Sequence, residues 1–295
     1  MKPVAFELER PATLDEALAV LAATGRDVKV LAGGQSLMPL LNFRLARPEV
    51  LVDLNRLGEL RYVTRPSAGG DGELRVGAMT RLRHLERAPD VGERWQLVAE
   101  ALPQVAHTPI RNRGTFGGGL AHADPAAELC AVSLALDATL VARSQARGSR
   151  ELPAEDFFRG PYTTALEPDE VLTEVRLPGQ PEGAGWAFSE VSRRRGDFAL
   201  VGVAALLAVE PGGVVREARL AYASMGPRPL RAYGAERALA GQPATEASFR
   251  EAAEGAVQEL EPGDDLQAGR AYRLHVARVL TERTLGQALA RAGSP

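Results

Sequence analysis

The chain has 295 residues and a formal net charge of −3, from 35 basic and 38 acidic side chains, which gives no electrostatic support for nucleic-acid binding. With 45% hydrophobic residues but no apolar run of membrane-spanning length, it is expected to be a cytoplasmic globular protein of two or three compact units. The single cysteine, Cys130, excludes an intrachain disulfide, a protein-held iron–sulfur cluster and a cysteine-rich zinc site, and is expected to be a small buried core residue.

Residues 1–57 are predicted to form a small β-α-β unit. A capping-box pattern at Thr13–Glu16 starts a helix with apolar residues at helical spacing, and Gly25 ends it. The glycine pair Gly33-Gly34 directly follows the second of three predicted strands. These strands cover residues 4–8, 29–31 and 50–54.

Residues 58–177 are predicted to form a second unit of mixed strands and helices. Thr80 is predicted to cap a helix that runs to Glu86, and Asp124, followed by a proline, to cap a helix that runs to Leu136. A hairpin is expected to begin the unit, with the turn-rich segment 65–72 at its tip. The other expected elements are a helix over 94–106, strands over 138–142 and 171–177, and a loop-rich stretch that begins at residue 151.

Residues 178–295 are predicted to form a C-terminal α+β domain. The segment Pro178–Gly183 is rich in proline and glycine and is the best linker candidate in the chain. Beyond it, three long apolar segments indicate an antiparallel meander, followed by three helices. The predicted strands cover 185–193, 199–209 and 214–223, and the predicted helices cover 231–240, 245–259 and 268–292.

Two glycine-rich segments are the strongest candidates for a ligand site. The first, 32–37, follows a buried strand and is predicted to contain a turn, and the second, 114–119, is predicted to be another glycine-rich turn. Neither is a P-loop, and the first also lacks the Gly-x-Gly-x-x-Gly signature. Taken alone, the first segment is equally well a tight turn between a strand and a helix. Together, two stretches of bare backbone suit an extended ligand with a pyrophosphate, and Ser36 and Thr115 offer hydroxyl donors to it.

Polar side chains follow the second glycine segment. A carboxylate of Asp124 or Glu128 is suited to accept hydrogen bonds from a ribose or an adenine amine. Asp124 has the alternative role of a helix cap, and His122 that of an ordinary loop histidine. The basic run Arg193–Arg195 is either a solvated strand end or a contact for a phosphate or a partner. The four histidines show no metal-ligand spacing and no Gly-x-Ser-x-Gly elbow is present, so no catalytic side chain and no metal ligand is predicted.

The stretches Ala32–Pro39 and Ile110–Ala126 closely resemble the FAD-binding medium subunit of molybdenum hydroxylases, the family of carbon monoxide dehydrogenase and xanthine dehydrogenase. The resemblance covers essentially the whole chain, including the break near residue 178. It implies an α+β fold in which two subdomains of the PCMH or vanillyl-alcohol-oxidase type clasp FAD. It also implies a C-terminal domain with a three-stranded antiparallel sheet and helices.

The same resemblance implies a role for individual residues. The two glycine segments would line the FAD diphosphate, Leu172 would pack on the adenine and Ile110 would approach the isoalloxazine. Asp124 and Glu128 would lie toward the ribose and adenine. Phe198 stands where the family often has tyrosine, so its ring would cover the flavin without donating a hydrogen bond. Many members have Asn or Ser at Gly119. The implied cofactor-binding residues are Ala32, Gly33, Gly34, Gln35, Ser36, Leu37, Thr80, Ile110, Thr115, Gly117, Gly118, Gly119, His122, Asp124, Glu128, Leu172 and Phe198.

The function implied by the resemblance is that of an electron-transfer subunit. A large subunit with a molybdenum cofactor would hydroxylate the substrate, and a small subunit with two [2Fe–2S] clusters would relay single electrons. The FAD of this chain would collect two electrons and pass them to an external acceptor, in a heterotrimer that dimerises. Three alternatives stay open: a stand-alone FAD-dependent oxidase or reductase, a non-redox nucleotide-binding module, and an adaptor that has lost FAD, against which the intact glycine segments argue.

Overall fold

The computed structural model of the protein describes residues 2–23, 25–65 and 72–293. Its first unit contains β1 (Glu7–Glu9), α1 (Leu14–Ala23), β2 (Val28–Leu31), α2 (Leu37–Asn42) and β3 (Val50–Asp53). The strands form a parallel sheet in the order β1-β3-β2, so the predicted β-α-β unit is confirmed, although its first strand lies a few residues later than predicted. Because the strands are parallel, the residues that follow β2 and β3 meet at one edge of the sheet.

The second unit is built on a five-stranded antiparallel sheet in the order β4-β5-β10-β6-β7. Residues 66–71 lie outside the described residues, and the predicted turn over 65–72 falls almost entirely on them. The strands are β4 (Val63–Thr64), β5 (Leu74–Gly77), β6 (Thr139–Ser144), β7 (Gly148–Pro153), the small pair β8 (Phe158–Gly160) and β9 (Thr163–Thr164), and β10 (Val171–Leu177). The helices are α3 (Leu82–Glu86), α4 (Pro89–Arg94), α5 (Gln96–Ala101), α6 (Thr108–Arg113), α7 (Phe116–His122), α8 (Glu128–Ala135) and α9 (Ala154–Phe157).

Two predicted helix caps in this unit are wrong. The Thr80 hydroxyl does not cap α3; it accepts a hydrogen bond from the backbone N–H of Tyr62 and donates one to the Tyr62 carbonyl. Asp124 does not cap α8, whose N-cap is Ala127. The Asp124 carboxylate instead accepts a hydrogen bond from the backbone N–H of Ala126, which holds a turn before the helix.

The helix predicted over 94–106 is interrupted at Trp95, which lies between α4 and α5 in a non-helical conformation. Its indole is fully buried and donates to the carbonyls of Leu177 and Pro178, so a long-range contact sets the break. The stretch after residue 151 is more regular than predicted, since it contains the end of β7, which pairs with β6, then α9 and the β8–β9 pair. Its polar sequence gives no sign of a strand.

The C-terminal unit has the predicted long strands and helices, and a two-residue strand is added at the sheet edge. Its elements are β11 (Gly185–Val191), β12 (Val201–Val209), β13 (Val215–Ala223), β14 (Leu230–Arg231), α10 (Tyr233–Leu239), α11 (Glu246–Gln258) and α12 (Arg270–Arg291). One sheet face packs on these helices. Within the described residues, no helix combines the length and the apolar character needed to cross a membrane.

The other face of the C-terminal sheet shares a hydrophobic core with the second unit. Phe188, Leu206 and Ala221 on this face belong to the same buried cluster as the residues around α8. All eight residues of α8 are buried, including Cys130, as predicted for that residue. The segment around Asp124 and Glu128 is therefore held between two units.

Candidate cofactor site

Within the described part of the chain, the first glycine segment has five consecutive backbone donors without a protein acceptor. It follows β2 directly, and Gly34 has a φ of +74°, a left-handed conformation that favours glycine. Among the hydrogen bonds between described residues, none begins at the backbone N–H of residues 33–37. Ser36 precedes α2 but its side chain does not cap the helix. Because Gly33 is buried and the next four residues are partly buried, this row of N–H groups suits an anionic oxygen of a ligand.

The second glycine segment is a helix rather than a turn, which corrects the prediction. Its first N–H groups have protein acceptors: Phe116 donates to the carbonyl of Thr80 at 2.9 Å, and Gly117 to that of Ala78 at 3.0 Å. Gly118 donates to the Thr115 hydroxyl, whose proton remains free to be donated. The glycines allow close packing, since a Cβ at Gly117 would lie 2.4 Å from the Ala78 Cβ.

The structure brings the two glycine segments into direct contact. A Cβ at Gly33 would lie 2.4 Å from the carbonyl oxygen of Arg113 and 2.7 Å from the Gly114 Cα. A Cβ at Gly118 would lie 3.0 Å from the Ala32 Cβ. Gly119, one position on, has no atom within 4 Å of its own Cβ position and faces open space. The unpaired N–H groups of the first segment therefore lie beside glycines of the second segment, which have no side chains to obstruct a ligand.

Asn55 and Arg81 cross-link these segments, and neither was singled out from the sequence. The Asn55 amide donates to the Ala32 carbonyl at 2.8 Å, and its oxygen accepts from Arg81 at 2.6 Å. Arg81 also donates to the Arg113 carbonyl. Asn55 follows β3 at the same sheet edge where Gly33 follows β2. Because residues that follow neighbouring parallel strands meet at one edge, the predicted strands could have indicated that Asn55 lies near Gly33.

Positive charge is concentrated beside the first glycine segment. Burial lowers the pKa of the Arg81 guanidinium, and the nearby charges of Arg61 and Arg113 lower it further. Asp53 is the nearby opposing charge. Such a cluster of arginines next to unpaired N–H groups favours a doubly charged group such as a diphosphate.

A second polar group of side chains lies past the end of α7. His122 packs against Tyr162 with ring centroids 5.1 Å apart, and the Tyr162 hydroxyl donates to Asp124 at 3.4 Å. Burial lowers the pKa of His122, against the pull of Asp124. Asp124, Tyr162 and Phe198 line one cavity of about 680 Å³ between the second and C-terminal units. Tyr162 has no signal in the sequence, because it lies in a loop and reaches Asp124 only through the fold.

Two carboxyl groups, one on the second unit and one on the C-terminal unit, have raised pKa values. Glu128 is 5% exposed, and burial, assisted by the charge of Asp124, raises its pKa to about 7. Burial and the charge of Glu128 raise the pKa of Glu190 to about 8. Glu190 was missed because in an alternating strand it has the pattern of an ordinary exposed residue.

Three other predicted residues are placed individually. Thr80 is buried with its hydroxyl engaged by Tyr62, and it contributes its carbonyl to the start of α7. Leu172 is buried on β10, and Ile110 is partly exposed on α6. Phe198 is 64% exposed on the loop between β11 and β12, where its ring is free to contact a ligand in the cavity.

Comparison with known proteins identifies the family. Residues 4–180 match the profile of the FAD binding domain in molybdopterin dehydrogenase, and residues 186–288 match the CO dehydrogenase flavoprotein C-terminal domain. The chain belongs to the FAD-binding medium subunits of the molybdenum hydroxylases. It is thus part of an oxidoreductase, its cofactor is FAD, and related medium subunits are components of multi-subunit dehydrogenases.

Relatives of this medium subunit match over nearly their full length. The alpha subunit of the 6-hydroxypseudooxynicotine dehydrogenase complex of Paenarthrobacter nicotinovorans is 39% identical, with 99% of this chain and 97% of the relative covered. The carbon monoxide dehydrogenase medium chain of Hydrogenophaga pseudoflava is 38% identical, with 99% of each covered. The structure of quinoline 2-oxidoreductase from Pseudomonas putida 86 aligns with a TM-score of 0.92 at 41% identity, covering 99% of this chain and 100% of that one.

The residues present fit FAD. The diphosphate requires several donors and positive charge, which the unpaired N–H groups of residues 33–37 and the arginines around Arg81 provide. A ligand can approach the backbone closely only where no side chain intervenes. Gly119 has no side chain and faces open space. The cavity lined by Phe198 and Asp124 adds an aromatic surface and a hydrogen-bond acceptor for the remainder of the cofactor.

Proposed function

We propose that this medium subunit transfers electrons from the [2Fe–2S] clusters of a small subunit to an external acceptor, while a large subunit with a molybdenum cofactor oxidises the substrate. The observation that carries the proposal is the contact of the two glycine segments, which creates one backbone cradle for a diphosphate. Bound FAD supplies the exchange between one-electron donors and a two-electron acceptor. The protein supplies binding, orientation and access.

Individual residues have distinct tasks in this proposal. The N–H groups of residues 33–37 hold the diphosphate, and the hydroxyls of Ser36 and Thr115 supplement them. Phe198 covers the isoalloxazine, and Leu172 and Ile110 contact the two ring systems, as the family resemblance implies. Asp124 and Glu128 accept hydrogen bonds from FAD hydroxyl or amine groups. No protein nucleophile is needed, since the transferred species are electrons.

We further propose that the subunit works in the cytoplasm within a heterotrimer that dimerises. The support is the set of relatives whose names describe medium chains or subunits of dehydrogenase complexes and which match this chain end to end. Iron–sulfur clusters must come from another subunit, because this chain has a single cysteine, which is buried.

The test begins with the absorbance spectrum of the purified chain and identification of the cofactor released by heat. The expected result is FAD in near-equal amount, either in the isolated chain or after co-expression with both partner subunits. Rapid mixing of the assembled complex with substrate should then reduce the iron–sulfur clusters and the flavin in turn. A chain that turns over substrate at full rate without partners would be a stand-alone oxidase or reductase, and the proposed role would be rejected.

A further inference from the structure

The loop between β11 and β12, residues 192–200, reaches from the C-terminal unit to the second unit. At its tip, Gly196 has a φ of +85°, and a Cβ there would lie 2.5 Å from the Cε1 atom of His107 and 3.1 Å from the Ala106 carbonyl oxygen. His107 is the N-cap of α6, the helix that carries Ile110. The tip of the loop therefore touches the helix whose Ile110 the resemblance places at the isoalloxazine.

Phe198 lies on this loop, two residues after the tip. Its side chain is mostly exposed and lines the cavity between the second and C-terminal units. An exposed ring has little packing to fix its orientation. The direction in which the Phe198 ring points therefore depends on the backbone that carries it.

The two residues that follow Phe198 are fixed through their backbone groups. The Ala199 carbonyl accepts a hydrogen bond from the Ser224 hydroxyl at 2.6 Å. The N–H of Leu200 donates to the Val191 carbonyl at 2.7 Å, and the Leu200 carbonyl accepts from the Arg273 guanidinium at 2.5 Å. Three consecutive backbone groups next to Phe198 thus have partners on other elements of the C-terminal unit.

Arg273 is the partner that lies farthest from the loop in the sequence. It lies one turn into α12, is 5% exposed, and its second terminal nitrogen donates to Asp265 at 2.7 Å. The Asp265 carboxylate also accepts from the N–H groups of Gln267 and Ala268, so it is itself held in place. Because a planar guanidinium donates to two acceptors at fixed angles, Arg273 joins this segment rigidly to Leu200.

We propose that Arg273 is a positioning residue for the cofactor, which holds the Leu200 carbonyl and thereby sets the Phe198 ring against the isoalloxazine. The inference rests on the proposed function, which places Phe198 at that ring. Ser224 assists by holding the Ala199 carbonyl. Arg273, Leu200 and Phe198 all line the same cavity, so the positioning contact lies directly beside the space for the ligand.

The first test compares Arg273→Met with the unchanged chain, either isolated or in the assembled complex. We expect FAD to bind about three- to tenfold more weakly, as for the partial loss of an aromatic contact, while ADP affinity stays within about twofold because ADP has no flavin. The visible absorption bands of bound FAD should also shift. Arg278→Met is the matched control, since Arg278 lies on the same helix, is partly exposed and pairs with Glu254 at 3.9 Å. It should leave both affinities unchanged.

A double-mutant cycle tests whether Arg273 acts through Phe198. Phe198→Ala alone should weaken FAD binding about tenfold. In that background, Arg273→Met should weaken FAD binding further by less than about twofold, because the ring that it positions is already gone. A general structural role of Arg273 would instead give losses that multiply, and would lower FAD and ADP affinity alike.

Ser224→Ala keeps the inference testable if Arg273→Met does not fold. This substitution removes one hydroxyl, and with it the hydrogen bond to the Ala199 carbonyl. FAD should bind about two- to threefold more weakly, and this loss should also vanish in the Phe198→Ala background.

The outcomes separate this inference from the proposed function. If the unchanged chain and its assembled complex bind no FAD, the proposed function fails. If they bind FAD and Phe198→Ala binds it equally tightly, the placement of Phe198 is wrong and the positioning role of Arg273 is rejected with it. If only Phe198→Ala weakens binding, or if the losses multiply in the double variant, the positioning role alone is rejected.

Discussion

Gly33 packs directly against Gly114, a residue from a different unit of the chain: a Cβ at Gly33 would lie 2.7 Å from the Gly114 Cα. The contact is between backbones, so neither side can yield by rotating a side chain. It places the unpaired N–H groups after β2 beside the start of α7. Any side chain at Gly33 would separate the two halves of the diphosphate cradle.

We therefore expect Gly33→Val to abolish stoichiometric flavin binding, with at least a 10- to 100-fold loss of FAD affinity, as for overpacking that costs roughly 1–3 kcal/mol. Gly117→Val should behave alike, because its Cβ would lie 2.4 Å from Ala78. The ratio of flavin to protein absorbance measures the effect. Gly255→Val is the control, since no atom lies within 4 Å of that Cβ position in α11. A yellow, fully loaded Gly33→Val protein would contradict the assignment of the cradle.

Asn55 provides a second test of the cradle, through hydrogen bonds rather than packing. Asn55→Ala removes the donor to Ala32 and the acceptor for Arg81, so FAD affinity should fall about tenfold, equivalent to about 1.4 kcal/mol. Asn55→Asp keeps an oxygen for Arg81 but cannot donate to Ala32. Fluorescence titration with FAD compares the variants. Equal affinity of Asn55→Ala and the unchanged chain would show that the cross-link does not shape the site.

Strong local signals explain which parts of the fold were predictable. The β-α-β unit has a capping box and short apolar strands, and the C-terminal meander has long apolar segments with helices after them. At the site, the two glycine segments stand out because their composition is unusual. The structure joins them, as the resemblance implied.

Long-range contacts explain what was not predictable. Helix α7 contains three successive glycines, which disfavour a helix, and it forms because Thr115 caps it and the carbonyls of Ala78 and Thr80 accept its first N–H groups. Glu190 has the local pattern of a solvent-exposed strand residue. Glu190 is only partly exposed, and helices of the second unit pack on its sheet, α5 on β11 and α8 on β12 and β13. No local signal encodes that packing.

The pH dependence of stability tests the raised pKa values of Glu128 and Glu190. Because the folded-state pKa values of Glu128 and Glu190 are raised to about 7 and about 8, the folded FAD-free chain binds more protons than the unfolded chain above pH 4.5. The contribution of these two groups to the free energy of unfolding should therefore fall as the pH rises from 4.5 to 8, by up to about 1.4 kcal/mol per pH unit for each group that titrates fully. His122, whose folded-state pKa is lowered, contributes with the opposite sign and is common to all variants compared.

Urea denaturation of the FAD-free chain at pH 5, 6, 7 and 8 measures this slope. Glu190→Gln should flatten it and should be more stable than the unchanged chain at pH 8. Glu128→Gln should do the same over a window that ends nearer pH 7. The neighbouring charge of Asp124 stays in both variants and acts as a common background. If the free energy of unfolding depended on pH in the same way in all three proteins, the pKa values of the two glutamates would not be raised in the folded chain.

The joint between β11 and α12 gives a prediction that is independent of FAD. A Cβ at Gly185 would lie 1.8 Å from the Ala288 carbonyl oxygen in α12, which is backbone held within a helix. Gly185→Ala should therefore force the helix off the sheet and lower the free energy of unfolding by roughly 1–3 kcal/mol or more. The same substitution at Gly286, exposed on α12 with no atom within 4 Å of its Cβ position, should stabilise the chain by about 0.5–1 kcal/mol. A lower melting temperature for Gly185→Ala and a higher one for Gly286→Ala would establish that α12 packs tightly on β11. A Gly185→Ala protein as stable as the unchanged chain would show that the helix can shift to accommodate a methyl group.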